Sequence, residues 1–414
     1  MIRIVDKARC CGCTACRAIC PHDAISMKAD ALGFPYPVVD EERCVDCGLC
    51  QKVCPYLKTA PYKSNRPGVY AAMNEDETAR MASSSGGIFP LLATRILAEG
   101  GWVFGSAFAQ DVPEKDGVPE KEDGISGIMG DDEEGYALRV LHCGTDEAEG
   151  VKMFCGSKYV QSDMGDCFRE VSGRLAEGCK VLFTGTPCQV AGIRSYIGKA
   201  RTGLYTMACA CHGVPAPEVW KRYSSEILSR HKGISCGAGP DAGSEEKIKV
   251  SFRDKSAGWK TYRIRIGDYT SPAFNDPYMK AMLKGLTVRP SCKDCIFKGK
   301  DVGADLLVGD WWGIARLAPD MDDDKGTSAL VVNTPEGEWL LSGGGLSIRK
   351  MPLLDDPGNG GFNKRSFVPT GADASFAAEF KEAKSMVALL KSMTDAPLKE
   401  KIIRKLKKYL KIWR

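Results

Sequence analysis

Histidine is scarce in this 414-residue chain, with four copies, and aromatic residues supply only 8% of it. So few imidazoles leave little room for histidine-based metal sites. No Ser-His-Asp arrangement and no catalytic carboxylate pair can be placed, so the sequence assigns no catalytic acid or base. Long apolar runs are missing as well. The best candidate, Ile88 to Ala109, is interrupted by Arg95, Glu99 and three glycines, which suits a helix, a turn and a strand better than a bilayer crossing. Met1 to Lys7 lacks the apolar stretch of a secretion signal, and the first cysteine arrives at Cys10, so a cytoplasmic protein is expected. No G-x-G-x-x-G fingerprint follows a strand, which argues against a Rossmann dinucleotide site.

Cysteine is what the chain has in excess, with 19 copies. A long chain without an export signal, spacing its cysteines at two and three residues, reads as a metal protein rather than a disulfide scaffold. Cys10, Cys13, Cys16 and Cys20 recur as Cys44, Cys47, Cys50 and Cys54, each displaced by 34 residues, and each set ends in Cys-Pro at Pro21 and Pro55. This matches the bacterial C-x2-C-x2-C-x3-C-P spacing of two 4Fe-4S clusters. Three cysteines of one run wrap a cubane while the fourth ligates the other cluster. Cys10, Cys13, Cys16 and Cys54 are then expected to hold one cluster, and Cys44, Cys47, Cys50 and Cys20 the second. Cys11 has no assigned partner. Four-cysteine zinc sites also use C-x2-C steps, but two complete runs with trailing prolines exceed what a tetrahedral ion needs.

The polar, proline-containing stretch from Lys58 to Pro67 marks a boundary after a module spanning 1–60. Beyond it, Gly87 to Glu99 reads as a helix, Gly101 to Phe108 as a strand, and Lys180 to Thr184 as a buried strand, an alternation that argues α/β. The acidic, Gly/Pro-rich stretches Asp111 to Glu134, Gly237 to Glu246 and Pro319 to Lys325 are expected on the surface.

Six ordered motifs lie between Gly68 and Gly313: Ser83-Ser-Ser-Gly-Gly-Ile88, Gly156-Ser-Lys-Tyr-Val-Gln-Ser162, Phe183-Thr-Gly-Thr-Pro-Cys-Gln189, Cys211-His-Gly-Val-Pro215, Cys292-Lys-Asp-Cys295, and Ala304-Asp-Leu through Gly309-Asp-Trp-Trp-Gly313. In this order they resemble the beta-subunit family of the factor-420 (deazaflavin) hydrogenases and dehydrogenases, a family that includes plant chlorophyll-type reductases. The resemblance implies FAD in an α/β domain over about 68–390 and a third 4Fe-4S cluster, held by Cys188, Cys211, Cys292 and Cys295. Cys209, two residues from Cys211, competes for that role. The expected fold class is an α+β ferredoxin-like two-cluster module followed by an α/β flavin-binding domain.

A flavin dinucleotide carries a pyrophosphate, which needs close approach by backbone amides. Ser84, Ser85, Gly86 and Gly87 sit just ahead of a helix and offer such a cradle; the alternative is an ordinary serine cap with glycines for tight entry. Thr184, Gly185 and Thr186 follow a strand, where α/β folds place ligands. Lys158 and Tyr159 would add a charge and a stacking face near the flavin, or else be a solvated lysine beside a core tyrosine. His212 stands beside Cys211, with a cluster-side or a structural role open.

The charge of +4 is concentrated in the tail: Leu398 to Arg414 has eight Lys or Arg against one Glu, leaving about −3 elsewhere. Leu398, Ile402, Leu406, Leu410 and Trp413 fall at helical spacing over 397–414. Such a helix suits a peripheral membrane contact at the inner face, a docking segment, or a solvated terminus; nothing upstream supports nucleic acid binding. The functional expectation is an iron-sulfur flavoprotein oxidoreductase that passes electrons between 4Fe-4S clusters and FAD and acts on a small organic substrate or a deazaflavin-type coenzyme. The alternative is an electron-transfer subunit that serves a redox partner protein and has no substrate of its own.

Overall fold

The computed structural model describes residues 1–57, 68–112, 138–198, 202–231, 247–299, 303–352 and 372–395. The expected linker at 58–67, Cys236 and the basic tail 397–414 lie outside the described residues.

The amino-terminal module is a two-stranded antiparallel ribbon with a short helix on each cysteine run. Strand β1 (Ile25–Ala29) pairs with β2 (Pro35–Val39), Ile25 opposite Val39. Period-2 alternation buries Ile25 and Met27 and exposes Ser26 and Lys28, as a half-buried ribbon requires. The helices Ala15–Ala18 and Leu49–Val53 each contain the third cysteine of their run. The 34-residue repeat extends to the backbone: Gly12 and Asp46 have φ of 68° and 49°, and Thr14 and Gly48 have φ of 64° and 74°. Each loop takes left-handed conformations at the same two places, and each places a glycine at only one of them.

The larger part is built on an eight-stranded sheet in the order β13-β3-β12-β11-β7-β6-β4-β5. Its strands in chain order are β3 (Gly68–Asn74), β4 (Trp102–Phe108), β5 (Val140–Thr145), β6 (Val181–Gly185), β7 (Leu204–Cys209), β11 (Leu306–Asp310), β12 (Ser328–Val332) and β13 (Leu346–Lys350). Strands β4, β6, β7 and β11 are parallel neighbours, and β5, β12, β3 and β13 flank them through antiparallel pairings. A separate antiparallel sheet comprises β8 (Val250–Asp254), β9 (Arg263–Ile266) and β10 (Tyr269–Pro272).

Both faces of the large sheet are covered. The helix Ile88–Ala98 buries Ile88, Leu92, Ala93 and Ile96, spaced for a single helical face, against Val103, Leu182, Leu306 and Leu330. On the other face the helices Cys167–Ala176 and Pro187–Ile197 pack on Phe104, Val181, Phe183 and Leu307, and the same core includes Cys11, Cys13, Ala15 and Val53 from the amino-terminal module. The module is therefore docked as an outer layer over these two helices. Asp305, at 3% exposure, ties the layers. Its carboxylate accepts from Thr206 N (2.7 Å) and Thr206 Oγ1 (2.6 Å), from Thr334 Oγ1 (2.8 Å), and from Arg194 of the helix beneath the module (3.3 Å).

A third core joins the helix Pro217–His231, the small sheet, and the helices Pro277–Leu283 and Met386–Thr394. It also takes in Phe34 and Tyr36 from the module. Among the described residues no helix is long and apolar enough to cross a membrane.

Candidate functional site: three cysteine nests and an aromatic-cationic cluster

The two cysteine runs fold so that each fourth cysteine leaves its own run. Cys10, Cys13, Cys16 and Cys54 line one nest with Ile2, Ile4 and Met27. Cys20 lines the other with Cys44, Cys47 and Cys50, beside Ile25 and Val39. Each nest encloses roughly 360 Å³, partly open to solvent. All the described cysteines are free thiols. Sulfur-only donors spread around an apolar hollow fit a cubane. The first nest is the more enclosed, with Cys13 and Cys16 buried, whereas Cys47 of the second is exposed.

Cys188, Cys211, Cys292 and Cys295 also come together, from the start of one helix, the loop after β7, the turn Pro290–Cys292 and the residues just past it, with the charges of Cys188, Cys292 and Cys295 bearing on Cys211. Burial pushes the Cys292 thiol up to about 11 and that of Cys295 up to about 12. Burial disfavours the thiolates of Cys211, Cys292 and Cys295 unless a cationic group joins them. Cys209 belongs to the same neighbourhood, raised to about 11 by burial and by Cys188. His212 contributes its backbone carbonyl, which accepts from Lys298 Nζ at 2.8 Å.

Cys11, unassigned in the sequence, stands between the first and third nests. Its thiol faces the sulfurs of Cys13 and Cys188 and interacts with both. That interaction raises Cys11 and lowers both neighbours, so Cys11 keeps its proton while Cys13 and Cys188 are favoured as thiolates, the form a metal requires. Tyr56 closes the same seam, its hydroxyl donating to Ser291 O and its ring edge-on to Phe297 at 5.0 Å.

Arg289 is fully buried at the back of the first nest. Its guanidinium donates to Cys10 O (2.7 Å), Pro35 O (2.8 Å) and Gln161 Oε1 (3.0 Å), and Nη2 lies 3.7 Å from Cys10 Sγ. Gln161 in turn donates to Cys11 O. A buried cation and an N–H···S bond raise a cluster's reduction potential.

The residues expected around a flavin gather at the carboxyl ends of the parallel strands, and most of their polar atoms have protein partners. Ser84 Oγ accepts from Ser157 N (2.7 Å) and is 2.8 Å from Ser157 Oγ, joining two of the motifs. Ser85 Oγ donates to Thr327 O. A Cβ on Gly86 would meet Ala72 O at 2.5 Å, and one on Gly87 would meet Arg80 Cα at 2.9 Å, so packing alone demands both glycines. The helix starting after Gly87 has no side-chain cap, leaving its first amides open to an anion.

Lys158 Nζ donates to the carbonyls of Met153 (2.7 Å) and Cys155 (2.9 Å), and burial lowers it to about 8. Tyr159 accepts from Arg253 Nη1 at 3.2 Å. Thr184 Oγ1 donates to Phe104 O, Gly185 ends β6, and Thr186 forms a capping box with Gln189 at the head of the helix bearing Cys188.

Sequence reasoning missed Arg253. It is buried on β8, paired with Asp310 at 2.8 Å, and stacked over Tyr262 at 4.1 Å. Its Nε and Nη2 have no hydrogen-bond partner, and neither has the buried Nε1 of Trp259. Trp259 stacks on Trp312 at 4.3 Å. An isolated arginine in a charged strand carries no pattern; the available signal was the aromatic pair in Gly309-Asp-Trp-Trp-Gly313. These orphaned donors, the open helix start and the aromatic faces fit a flat conjugated group with acceptor atoms.

The two cysteine runs of the module define an iron-sulfur protein. A family model describing the carboxy-terminal part of the coenzyme F420 hydrogenase/dehydrogenase beta subunit matches residues 178–346, and one of a 4Fe-4S dicluster domain matches residues 9–57. The chain thus resembles that beta-subunit family over 178–346, with the match to the dicluster domain ahead of it. A chain in the xenon-derivatized F420-reducing [NiFe] hydrogenase complex from Methanosarcina barkeri is similar at 16% identity and a TM-score of 0.43, covering 72% of this chain and 87% of that one. At that level the likeness carries no argument. No curated protein matches the chain.

Proposed function

We propose that this chain is an iron-sulfur flavoprotein that relays electrons between three 4Fe-4S clusters and FAD and exchanges them with a small organic substrate or deazaflavin-type coenzyme. The contact of Cys11 with both Cys13 and Cys188 carries the reading, because it makes the first and third nests neighbours. Cys10, Cys13, Cys16 and Cys54 would hold one cluster, Cys20, Cys44, Cys47 and Cys50 a second, and Cys188, Cys211, Cys292 and Cys295 a third. FAD, when bound, supplies the junction between one-electron and two-electron chemistry. The open start of the helix after Gly87 is suited to its pyrophosphate, and Arg253 with Trp259 to acceptor atoms on its ring.

The chain's own residues keep the route dry and fixed. Arg289 ties Cys10 to Gln161, Tyr56 seals the seam, and Arg194 with Asp305 anchors the helix that presents Cys188. The exposed Cys47, flanked by exposed Val45 and Leu49, favours a protein as the partner at the outer end, which is how the subunit reading would operate. Anaerobic purification with iron, sulfide and flavin analysis tests the proposal. About 12 irons and one FAD per chain are expected, and about eight irons without flavin would overturn it.

A further inference from the structure

Arg289 is a cation that is 0% exposed and that no carboxylate balances among the described residues. The groups that accept from it are the carbonyls of Cys10 and Pro35, the Gln161 amide and the Cys10 sulfur. Neutral oxygens satisfy its N–H groups without cancelling its charge, and a buried charge is costly unless an opposite one faces it. The guanidinium presses on the first cysteine loop, since a Cβ on Gly12 would lie 2.7 Å from its Nη1. The rings of Tyr36 and Phe34 flank it at 4.3 and 5.4 Å, and such apolar walls leave its field little screened. That field bears on Cys10 and Cys13 of the first nest and on Cys188 and Cys292 of the third. The second nest differs. Among the described residues lining it there is no Lys or Arg, and the Met1 amino group at its rim pairs with Asp46.

A cubane on cysteine thiolates is an anion that gains further negative charge on reduction, so enclosure away from water makes it harder to reduce and a nearby cation makes it easier. Cys13 and Cys16 are buried while Cys47 is exposed. Enclosure alone would therefore make the first cluster a barrier to electrons that arrive through the second. We propose that Arg289 sets the reduction potential of the cluster held by Cys10, Cys13, Cys16 and Cys54, its charge lifting that potential against burial while leaving the second cluster's unchanged, so that electrons entering at the Cys47 end pass inward. Arg289 acts through its field and its contact with Cys10 Sγ, as a positioning residue and not as a ligand. The inference rests on the 4Fe-4S reading of the two cysteine runs and needs neither FAD nor the third nest.

Potentiometric titration of the full-length, anaerobically reconstituted protein, followed by electron paramagnetic resonance, tests it. The step of the first cluster is the one that Cys16→Ser shifts or removes. In Arg289→Gln that step should move to lower potential by about 59 mV or more, tenfold in a one-electron equilibrium, with the step of the second cluster in place. Arg289→Lys, which keeps the charge, should recover most of the shift. Should Arg289→Gln lose its clusters, Gln161→Glu takes its place, because a carboxylate at the amide oxygen 3.0 Å from Nη1 neutralises the guanidinium and should lower the same step. An unmoved first step, equal movement of both steps, or an Arg289→Lys step shifted as far as that of Arg289→Gln overturns the proposal. Parent protein without clusters in the two runs would instead overturn the iron-sulfur reading, and about eight irons without flavin would overturn the FAD relay while leaving this test standing.

Discussion

His142 shows how much a single residue can hold while carrying no motif. It is fully enclosed, with Nε2–H donating to Thr184 O (2.8 Å) and Nδ1 accepting from Ser162 Oγ (2.9 Å), and it stacks on Phe183. Ser162 also accepts from Gln189, so the neutral imidazole braces β5 and β6 against the helix presenting Cys188. Burial lowers its pKa to about 4 from an ordinary 6.5. With the folded value below the unfolded one, its contribution is complete above about pH 6.5 and is lost as pH falls toward 4. The shift corresponds to roughly 3 kcal/mol across that window. His142→Gln should be less stable than the parent at pH 7.5, and the gap should narrow by pH 5. Denaturation midpoints at the two pH values check this, and a gap independent of pH would count against it.

At the scale of elements, the helix Pro187–Ile197 meets the first cysteine loop at a glycine. A Cβ on Gly192 would lie 2.9 Å from Cys13 Cβ and 3.0 Å from its sulfur, one turn along from Cys188. Gly192→Val should push the loop off the helix at a cost of about 1–3 kcal/mol. The expected result is a loss of about four irons per chain from the nest of Cys10, Cys13, Cys16 and Cys54. Iron analysis and electron paramagnetic resonance of the reduced protein check it, and an unchanged iron count would refute the close contact.

What could be read in advance at this scale follows from how local each signal is. The eight cysteines of the module were legible because loop geometry fixes their spacing within a few residues, and the helix after Gly87 because Ile88, Leu92, Ala93 and Ile96 repeat on one face. Strands β4 and β6 were legible as apolar runs bounded by glycine. The third nest was reachable only through family resemblance, since its cysteines are separated by up to 107 residues and meet through sheet order. The small sheet was missed because Arg253, Lys255, Arg263 and Arg265 make its strands look solvated. In the fold those cations turn inward onto Tyr262, backbone carbonyls, Thr270 and Asp254. Gly86 and Gly87 were read as a phosphate cradle, but their contacts show packing as a sufficient reason for both, a distinction that spacing cannot make.

At the scale of the whole molecule, the question is whether the amino-terminal module is an appendage or part of one cooperative body. Its contacts argue for the second. Ser195 Oγ donates to Val53 O (2.6 Å), Glu218 N to Leu32 O (3.1 Å) and Arg169 Nε to Ala18 O (3.2 Å), and two of the large domain's cores take in side chains from the module. Arg289 strengthens the point. Undocking the module would leave its guanidinium and the groups around it without their shared bonds, whereas interfaces between independent domains are typically more polar and readily exposed. During a thermal ramp at a single scan rate under anaerobic conditions, loss of cluster absorbance and loss of far-ultraviolet circular dichroism should therefore share one midpoint. Bleaching well below the main transition would mean that the module melts alone, and that the bonds of Arg289 do not couple it to the sheet.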